Sequence, residues 1–372
     1  MKKLGVVTVG RSDFGLLYPL IKEINKYKSF KTLLFAAGGH FSNFSGYTNK
    51  EITDKNLKIN FKIKCSVNDD SRHGVNLSIS KAIKLFSKYF FISKLNAIIL
   101  LGDRYELLAA ALAAKNLGIK IFHIGGGCTT QGALDNIYRY NISLLSDIHF
   151  VDLNEFKTKL INYGINPKNI FVVGAFGASS MKMTKTKTLN NFKKSFDFEL
   201  SNNFVIFTYH PTTNYINDDE NFIKSSLDFF LNKNIQVIIT NPNEDFNKKR
   251  IKAIYKKYLT KKNYLFIQNL GHEKYANLLK HAKIMIGNSS SGILEAATFN
   301  LPVINLGKRQ KGRVSSNNTI HIEKYDKNLI FYHIKYFINL DQNKRKFFNI
   351  YYKKNTFKKT ATKILEFMKT KF

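Results

Sequence analysis

Only two cysteines and five prolines occur in this chain of 372 residues, and acidic residues are scarce. Cys65 and Cys128 cannot build a disulfide framework, and neither stands at metal-ligand spacing. No apolar run reaches the ~18 residues that a membrane span needs. The start, MKKLGVVTVGRSDFG, has a basic tip, but its apolar stretch ends at Arg11 and Asp13. That reads as a first β-strand, not a secretory leader. The expectation is a soluble cytoplasmic protein with no metal and no cofactor.

What is abundant is positive charge. Lys and Arg number 59 against 26 Asp and Glu, a formal net charge of +33. A basic surface gathers phosphates by counterion release, which invites a nucleic-acid reading. Here the lysines run along the whole chain among Asn, Ile and Phe, with no zinc-finger or RNA-recognition motif beside them. They read as a solvated surface that helps attract an anionic, phosphate-bearing substrate, with no nucleic-acid or membrane partner expected. With 44% hydrophobic and 14% aromatic residues, the chain can fill two cores.

Short apolar runs alternate with helix-period segments. Strands are expected at Leu4–Val9, Lys31–Ala37, Ala97–Leu101, Ile119–Ile124, Ile148–Val151 and Ile170–Val173, with helices such as Leu16–Tyr27 and Tyr105–Leu117 between them. The rhythm resumes at Phe204–Thr208, Ile235–Thr240, Tyr264–Gln268, Lys283–Gly287 and Pro302–Leu306. Continuous apolar strands separated by helices indicate parallel sheets covered on both faces. The expected fold class is α/β, with two Rossmann-like doubly wound domains around a cleft. The polar, lysine-rich segment Met181 to Asn203 marks the boundary, giving domains at 1–181 and 204–345. The basic tail beyond Asp341 reads as an amphipathic helix, with 346–372 packing back on the protein.

Ligands of doubly wound sheets bind beyond the carboxyl ends of the strands. In IMIGNSSSGILEAATFNLPVINLG a strand ends at Gly287, a serine-rich turn follows, and a helix is expected from near Gly292. Amides and hydroxyls of Ser289, Ser290 and Ser291 would face an anion there, and Glu295 could bind a ribose diol. Helix capping by Asn288 or a serine is the plain alternative. The following GKRQKGR brings Arg309, Lys311 and Arg313, guanidinium groups suited to a diphosphate. Arg11, Asp103, His210 and His40 each follow a strand. For Asp103 the ordinary role is a helix cap, with catalysis as the alternative. His210 could bond a phosphate or move a proton. The glycines of HIGGGCTTQGALD suggest that something approaches the backbone beside Cys128.

Taken together, TVGRSDFG, GGHFSNFSGYTNKEI, LGDRYELLAAALAA, the glycine loop with GALDNIYRYNISLLSDIHFV, FTYHPTT, GNSSSGILEA and PVINLGKRQKGR resemble the hydrolysing UDP-N-acetylglucosamine 2-epimerases of the sialic and legionaminic acid branch. The pieces keep the family's order from about residue 4 to 320. The resemblance implies a glycosyltransferase-B-like fold whose last helix returns to the first domain, and a homodimer. It implies a UDP-sugar substrate, loss of UDP by elimination, and addition of water with inversion at C2. It places Asp103, Asp135 and His210 among the catalytic groups. Arg11, Ser289, Ser290, Gly292, Glu295 and Arg313 fall to the nucleotide. Arg139 matches the family's arginine, and Tyr140 stands where its neighbour is histidine.

One departure stands out. The glutamate positions of the glycine loop are Gly125 and Cys128, and a nearby acidic position is Gln131. A thiol near pKa ~8.5 is mostly protonated at neutral pH, whereas a tuned carboxylate relays protons there. Cys128 is therefore either a catalytic thiol lowered by a helix start or a space-filling residue in a repurposed or weakened site. The expected activity is hydrolysis and epimerisation of UDP-N-acetylglucosamine. The alternatives are the same reaction on GDP- or UDP-linked di-N-acetylated 6-deoxyhexoses, a nucleotide-sugar-binding homologue, or a glycosyltransferase.

Overall fold

The computed structural model describes residues 1–41, 50–67, 69, 71–129, 134–212, 216–242, 248–268 and 270–369. Two compact units emerge, the first from Met1–Cys128, Leu134–Ser179 and Lys353–Phe372, the second from Ser180–Tyr352.

The first unit begins with β1 (Lys2–Thr8), α1 (Arg11–Ile24), β2 (Phe30–Ala37), α2 (Lys50–Thr53), β3 (Phe61–Ile63) and α3 (Arg72–Ser93). It continues through β4 (Ala97–Leu101), α4 (Tyr105–Asn116), β5 (Lys120–Ile124), α5 (Asp135–Leu145), β6 (Ile148–Val151), α6 (Asn154–Asn162), β7 (Ile170–Val172) and α7 (Phe176–Met183). Among the described residues its strands form one parallel sheet in the order β3-β2-β1-β4-β5-β6-β7. Alternate residues of each strand feed two cores. Val6, Ile99, Phe122 and Phe150 pack with Leu17 and Leu20 on one face. Val7, Phe35, Leu100 and Ile121 pack with Phe86 and Ala110 on the other. Burial on both faces is why these strands read as unbroken apolar runs.

The second unit holds α8 (Leu189–Lys193), β8 (Phe204–Thr208), α9 (Ile216–Asp228), β9 (Gln236–Thr240), α10 (Lys248–Tyr258), β10 (Tyr264–Ile267) and α11 (Gly271–His281). Then come β11 (Met285–Gly287), α12 (Ser290–Leu294), β12 (Val303–Leu306), β13 (Thr319–Ile322) and α13 (Lys327–Asn339). Its described strands form a parallel sheet ordered β10-β9-β8-β11-β12-β13. In each sheet the order reverses beside the first strand, between β1 and β4 and between β8 and β11, the place where open α/β sheets bind ligands.

The chain ends in α14 (Thr356–Lys369), which belongs to the first unit and packs on α1. Phe357, Ile364, Leu365 and Met368 enter that core, each stabilising it by roughly 1.5–3 kcal/mol. The Thr356 hydroxyl donates to the Val173 carbonyl at 2.8 Å.

Several expectations need correction. Strands β3 and β13 went unread because each is short and mixes polar residues into its run, Lys62 in one and His321 in the other. α1 opens at Arg11, five residues before the expected start. The lysine-rich segment after Met181 is not a bare connector. Phe192 and Leu200 are buried in the second unit's core.

Candidate active site

In the second unit the site is built where β8 and β11 end side by side. Gly287 has φ +134, and a Cβ there would stand 1.8 Å from the Thr208 carbonyl oxygen. Only glycine lets the two strand ends lie that close. Asn288 follows, fully buried, and its amide grips the backbone of His210. Nδ2 donates to the His210 carbonyl at 2.9 Å, while the His210 N–H donates to Oδ1 at 2.7 Å. The Asn288 carbonyl in turn accepts from Arg309 Nη1 at 3.3 Å and Gln310 Nε2 at 2.8 Å. One asparagine thus fixes the loops after β8, β11 and β12. Arg309 is part of this clamp, and Lys311 pairs instead with Glu323 at 3.0 Å.

α12 begins at Ser290, two residues before Gly292, and spans five residues. Ser289 is its cap, accepting from the Ser291 amide at 3.3 Å. Tyr275 donates to the Ser291 hydroxyl at 2.8 Å, and Ser291 donates to Glu295 at 2.5 Å. Burial pushes the Glu295 carboxyl up, opposed by that bond. Gly292 is demanded by packing, since a Cβ there would meet Val303 at 2.9 Å. Arg313 is half-buried, with its amide donating to the Gln310 carbonyl at 3.1 Å. His210 is buried, and burial with the neighbouring Arg309 charge drives its imidazole well below the usual range. At neutral pH it is an uncharged ring with one donor and one acceptor nitrogen.

In the first unit, Asp13 organises the loop after β1. Its carboxylate accepts from the amides of Val9, Gly10 and Phe14 at 2.7–2.9 Å and from the Thr8 hydroxyl at 3.1 Å. Burial pushes it up to about 6, with those bonds opposing. Thr8 Oγ1 also lies 2.9 Å from Nε2 of the buried His40. Arg11 opens α1, but its side chain lies outside the described residues.

Beyond β4 and β5, buried Arg139 of α5 links two loops. It forms an ion pair with Asp103 and donates from Nη1 to the Cys128 carbonyl at 2.7 Å. Asp103 is therefore paired with a guanidinium, and no side-chain bond from it caps α4, whose N-cap is Arg104. His123 Nε2 lies 2.9 Å from the Gly102 carbonyl and Nδ1 lies 3.0 Å from the Ser143 hydroxyl. Nε2–H is the donor and Nδ1 the acceptor, as a neutral ring requires. Burial pushes this histidine down to about 4.

The glycine loop divides. A Cβ on Gly126 would meet Ser143 Oγ at 2.8 Å, and one on Gly127 would meet the Phe156 carbonyl at 2.4 Å. Both are glycine for internal packing, which corrects the expectation that all three make way for a ligand. Gly125, with φ +83, faces open space among the described residues. Cys128 is 5% exposed, and Gln131 lies outside the described residues. Asp135 is half-buried as the first residue of α5, where its charge suits the helix dipole. Tyr140 packs on Tyr163, with ring centroids 4.8 Å apart.

The sequence reading passed over Asn288 as a cap and did not single out Glu106 or Gln310. All three are buried polar side chains, and Asn288 is flanked by a strand-terminal glycine and serines, a pattern that points to a loop anchor.

The family model for UDP-N-acetylglucosamine 2-epimerase matches residues 22–369. The chain belongs to that family. It is 35% identical to the Campylobacter jejuni GDP/UDP-N,N'-diacetylbacillosamine 2-epimerase (hydrolyzing) over 330 residues, 87% of this chain and 85% of the relative. Identity to the Legionella pneumophila UDP-N,N'-diacetylbacillosamine 2-epimerase (hydrolyzing) is 31%, with the same coverages. The fold is that of the Methanocaldococcus jannaschii UDP-GlcNAc 2-epimerase crystallised with UDP-GlcNAc and UDP, at TM-score 0.82, 18% identity, and 98% and 99% coverage of the two chains. Among the described residues of this family member, no helix is long and apolar enough to cross a membrane. No group of three or more His, Cys, Asp or Glu there could hold a metal ion.

Proposed function

We propose that this chain is a hydrolysing 2-epimerase acting on nucleotide-linked N,N'-diacetylbacillosamine, a di-N-acetylated 6-deoxyhexose. The observation that carries the reading is the clamp of Asn288 on His210, Arg309 and Gln310, in a chain 35% identical to an enzyme of that name. The open space over Gly125, where the resemblance implies a glutamate, suits a bulkier sugar.

The chemistry requires a base at C2, stabilisation of the departing diphosphate, and an acid for hydration. Ser289, Ser290 and Arg313, with neutral His210 donating a hydrogen bond, take the diphosphate. Glu295, Gly292 and Arg11 complete the nucleotide's surroundings. Asp103, its charge balanced by Arg139, accepts the C2 proton as the C1–O bond breaks. Asp135 returns a proton to C2 while water adds at C1. Cys128 contributes its carbonyl to Arg139 and packs its thiol. The test is nucleotide release from GDP- and UDP-diacetylbacillosamine beside UDP-N-acetylglucosamine. Preference for UDP-N-acetylglucosamine would favour the second reading, which the family's description supports. Nucleotide binding without release from any of the three overturns both.

A further inference from the structure

The carboxylate of Glu295 is aimed from behind by two hydroxyls. Glu295 follows α12 directly and is half-buried. Its Oε2 accepts from the Ser291 hydroxyl at 2.5 Å. That hydroxyl accepts in turn from the phenol of Tyr275, which reaches it from α11 at 2.8 Å. The Ser291 main chain is also held, its amide donating to the Ser289 hydroxyl at 3.3 Å. All four residues belong to the second unit.

The direction of these bonds is fixed by the chemistry of the groups. An ionised carboxylate only accepts, so Ser291 is the donor to Glu295. A serine hydroxyl carries one proton, so toward Tyr275 it only accepts, and the phenol donates. Burial, with the Glu295 charge, pushes the Tyr275 phenol up, so it keeps that proton. A hydroxyl that already accepts a hydrogen bond is the stronger donor, so Tyr275 strengthens the hold of Ser291 on the carboxylate. Phenylalanine would fill the same space as Tyr275, and what its hydroxyl adds is this bond.

The carboxylate also shows what it faces. Among the described residues, Ser291 alone steadies its charge, and no cation balances it. An uncompensated negative charge repels a diphosphate and favours neutral donors. The neutral donors of a nucleotide's sugar are the two vicinal hydroxyls of ribose. We propose that Tyr275 and Ser291 are positioning residues that hold Glu295 as the receptor for this diol, which makes the chain selective for ribonucleotides over 2'-deoxyribonucleotides. This rests on the placing of Glu295 at the nucleotide above. The base takes no part in the contact, so the selectivity holds for uridine and guanosine nucleotides alike.

The test is calorimetric titration of UDP, GDP and their 2'-deoxy counterparts into wild type, Tyr275→Phe, Ser291→Ala and Ser291→Thr. A site built to hydrogen-bond a hydroxyl rejects the analogue that lacks it, so wild type should prefer the ribonucleotide by about tenfold or more. Loss of one hydrogen bond from the chain should cut that preference by about threefold or more in Tyr275→Phe and Ser291→Ala. The loss should fall on the ribonucleotide, with the 2'-deoxy affinity unchanged. Ser291→Thr keeps the hydroxyl and should keep the preference. An unchanged ratio in both hydroxyl-deleted variants overturns the proposal. So does an equal loss for ribose and deoxyribose, which marks the chain as packing between α11 and α12. A wild type indifferent to the 2'-hydroxyl, or one that binds none of the four nucleotides, overturns it as well. Tyr275→Phe removes a single hydroxyl and decides the matter if a serine variant fails to fold. Ribose-selective binding without turnover of any nucleotide sugar removes the epimerase reading and leaves this proposal standing, whereas turnover without ribose selectivity does the reverse.

Discussion

Asn288 holds His210 by its backbone, not its ring: the side-chain amide pairs with both the N–H and the carbonyl of that residue. The pairing copies a β-ladder contact just past the point where β8 and β11 stop. The main chain of His210 is thereby fixed independently of its ring.

Replacing Asn288 by alanine leaves the His210 N–H and carbonyl without their partner in a buried loop, while the main-chain carbonyl that receives Arg309 and Gln310 stays. Each buried polar group left unsatisfied costs about 1–3 kcal/mol. Asn288→Ala should therefore lower the urea midpoint clearly and weaken UDP or GDP binding together. Unchanged binding by calorimetry in a destabilised Asn288→Ala would contradict the anchoring role.

The buried histidine behind the glycine loop gives a pH signature. His123 titrates near 4 folded against an ordinary 6.5, because burial disfavours its charged form. The unfolded chain takes up the proton first, so the stability tied to its neutral form is complete above pH 6.5. It is lost as pH falls toward 4, by up to about 3 kcal/mol. Burial also raises several acids, which pulls the other way, so the useful quantity is a difference. The stability gap between wild type and His123→Asn should shrink between pH 7.5 and 4.5 in urea titrations. A constant gap would refute the assignment.

Two neighbouring glycines should respond differently. Gly127→Ala forces a methyl against the Phe156 carbonyl and should destabilise by about 1–3 kcal/mol through overpacking, beyond its left-handed strain. Gly125→Ala meets no atom of the described residues, so the left-handed backbone is what resists it, at about 1–2 kcal/mol. Its main effect is expected on KM for the sugar. Equal losses of thermal stability in the two variants would contradict this division.

Cys128 offers a sharp alternative. If the thiol only packs, Cys128→Ala keeps kcat within about threefold. A thiol base would cost about 10²–10⁴-fold, the usual contribution of general acid–base catalysis. Steady-state nucleotide release separates the two.

The doubly wound architecture was legible because strands buried on both faces, such as β1 and β8, cannot hide their apolar runs. Short strands mixed with polar residues, such as β3 and β13, gave no such signal. The loops proposed to carry chemistry stood out for the same reason, since each follows a readable strand. What the residues do inside those loops was less so. Gly126 and Gly127 looked like room for a ligand and are room for Ser143 and Phe156. Arg309 looked like a phosphate ligand and its Nη1 holds the Asn288 carbonyl. Contacts between loops of adjacent strands have no local signature.

The most direct measurement runs the reaction in D₂O with nucleotide-linked diacetylbacillosamine and follows the sugar by proton NMR. Elimination and hydration replace the C2 proton from solvent. The account predicts free nucleoside diphosphate and a free sugar inverted at C2, carrying one deuterium there. Release of a sugar that keeps its original C2 proton and configuration would mean simple hydrolysis and would contradict the account.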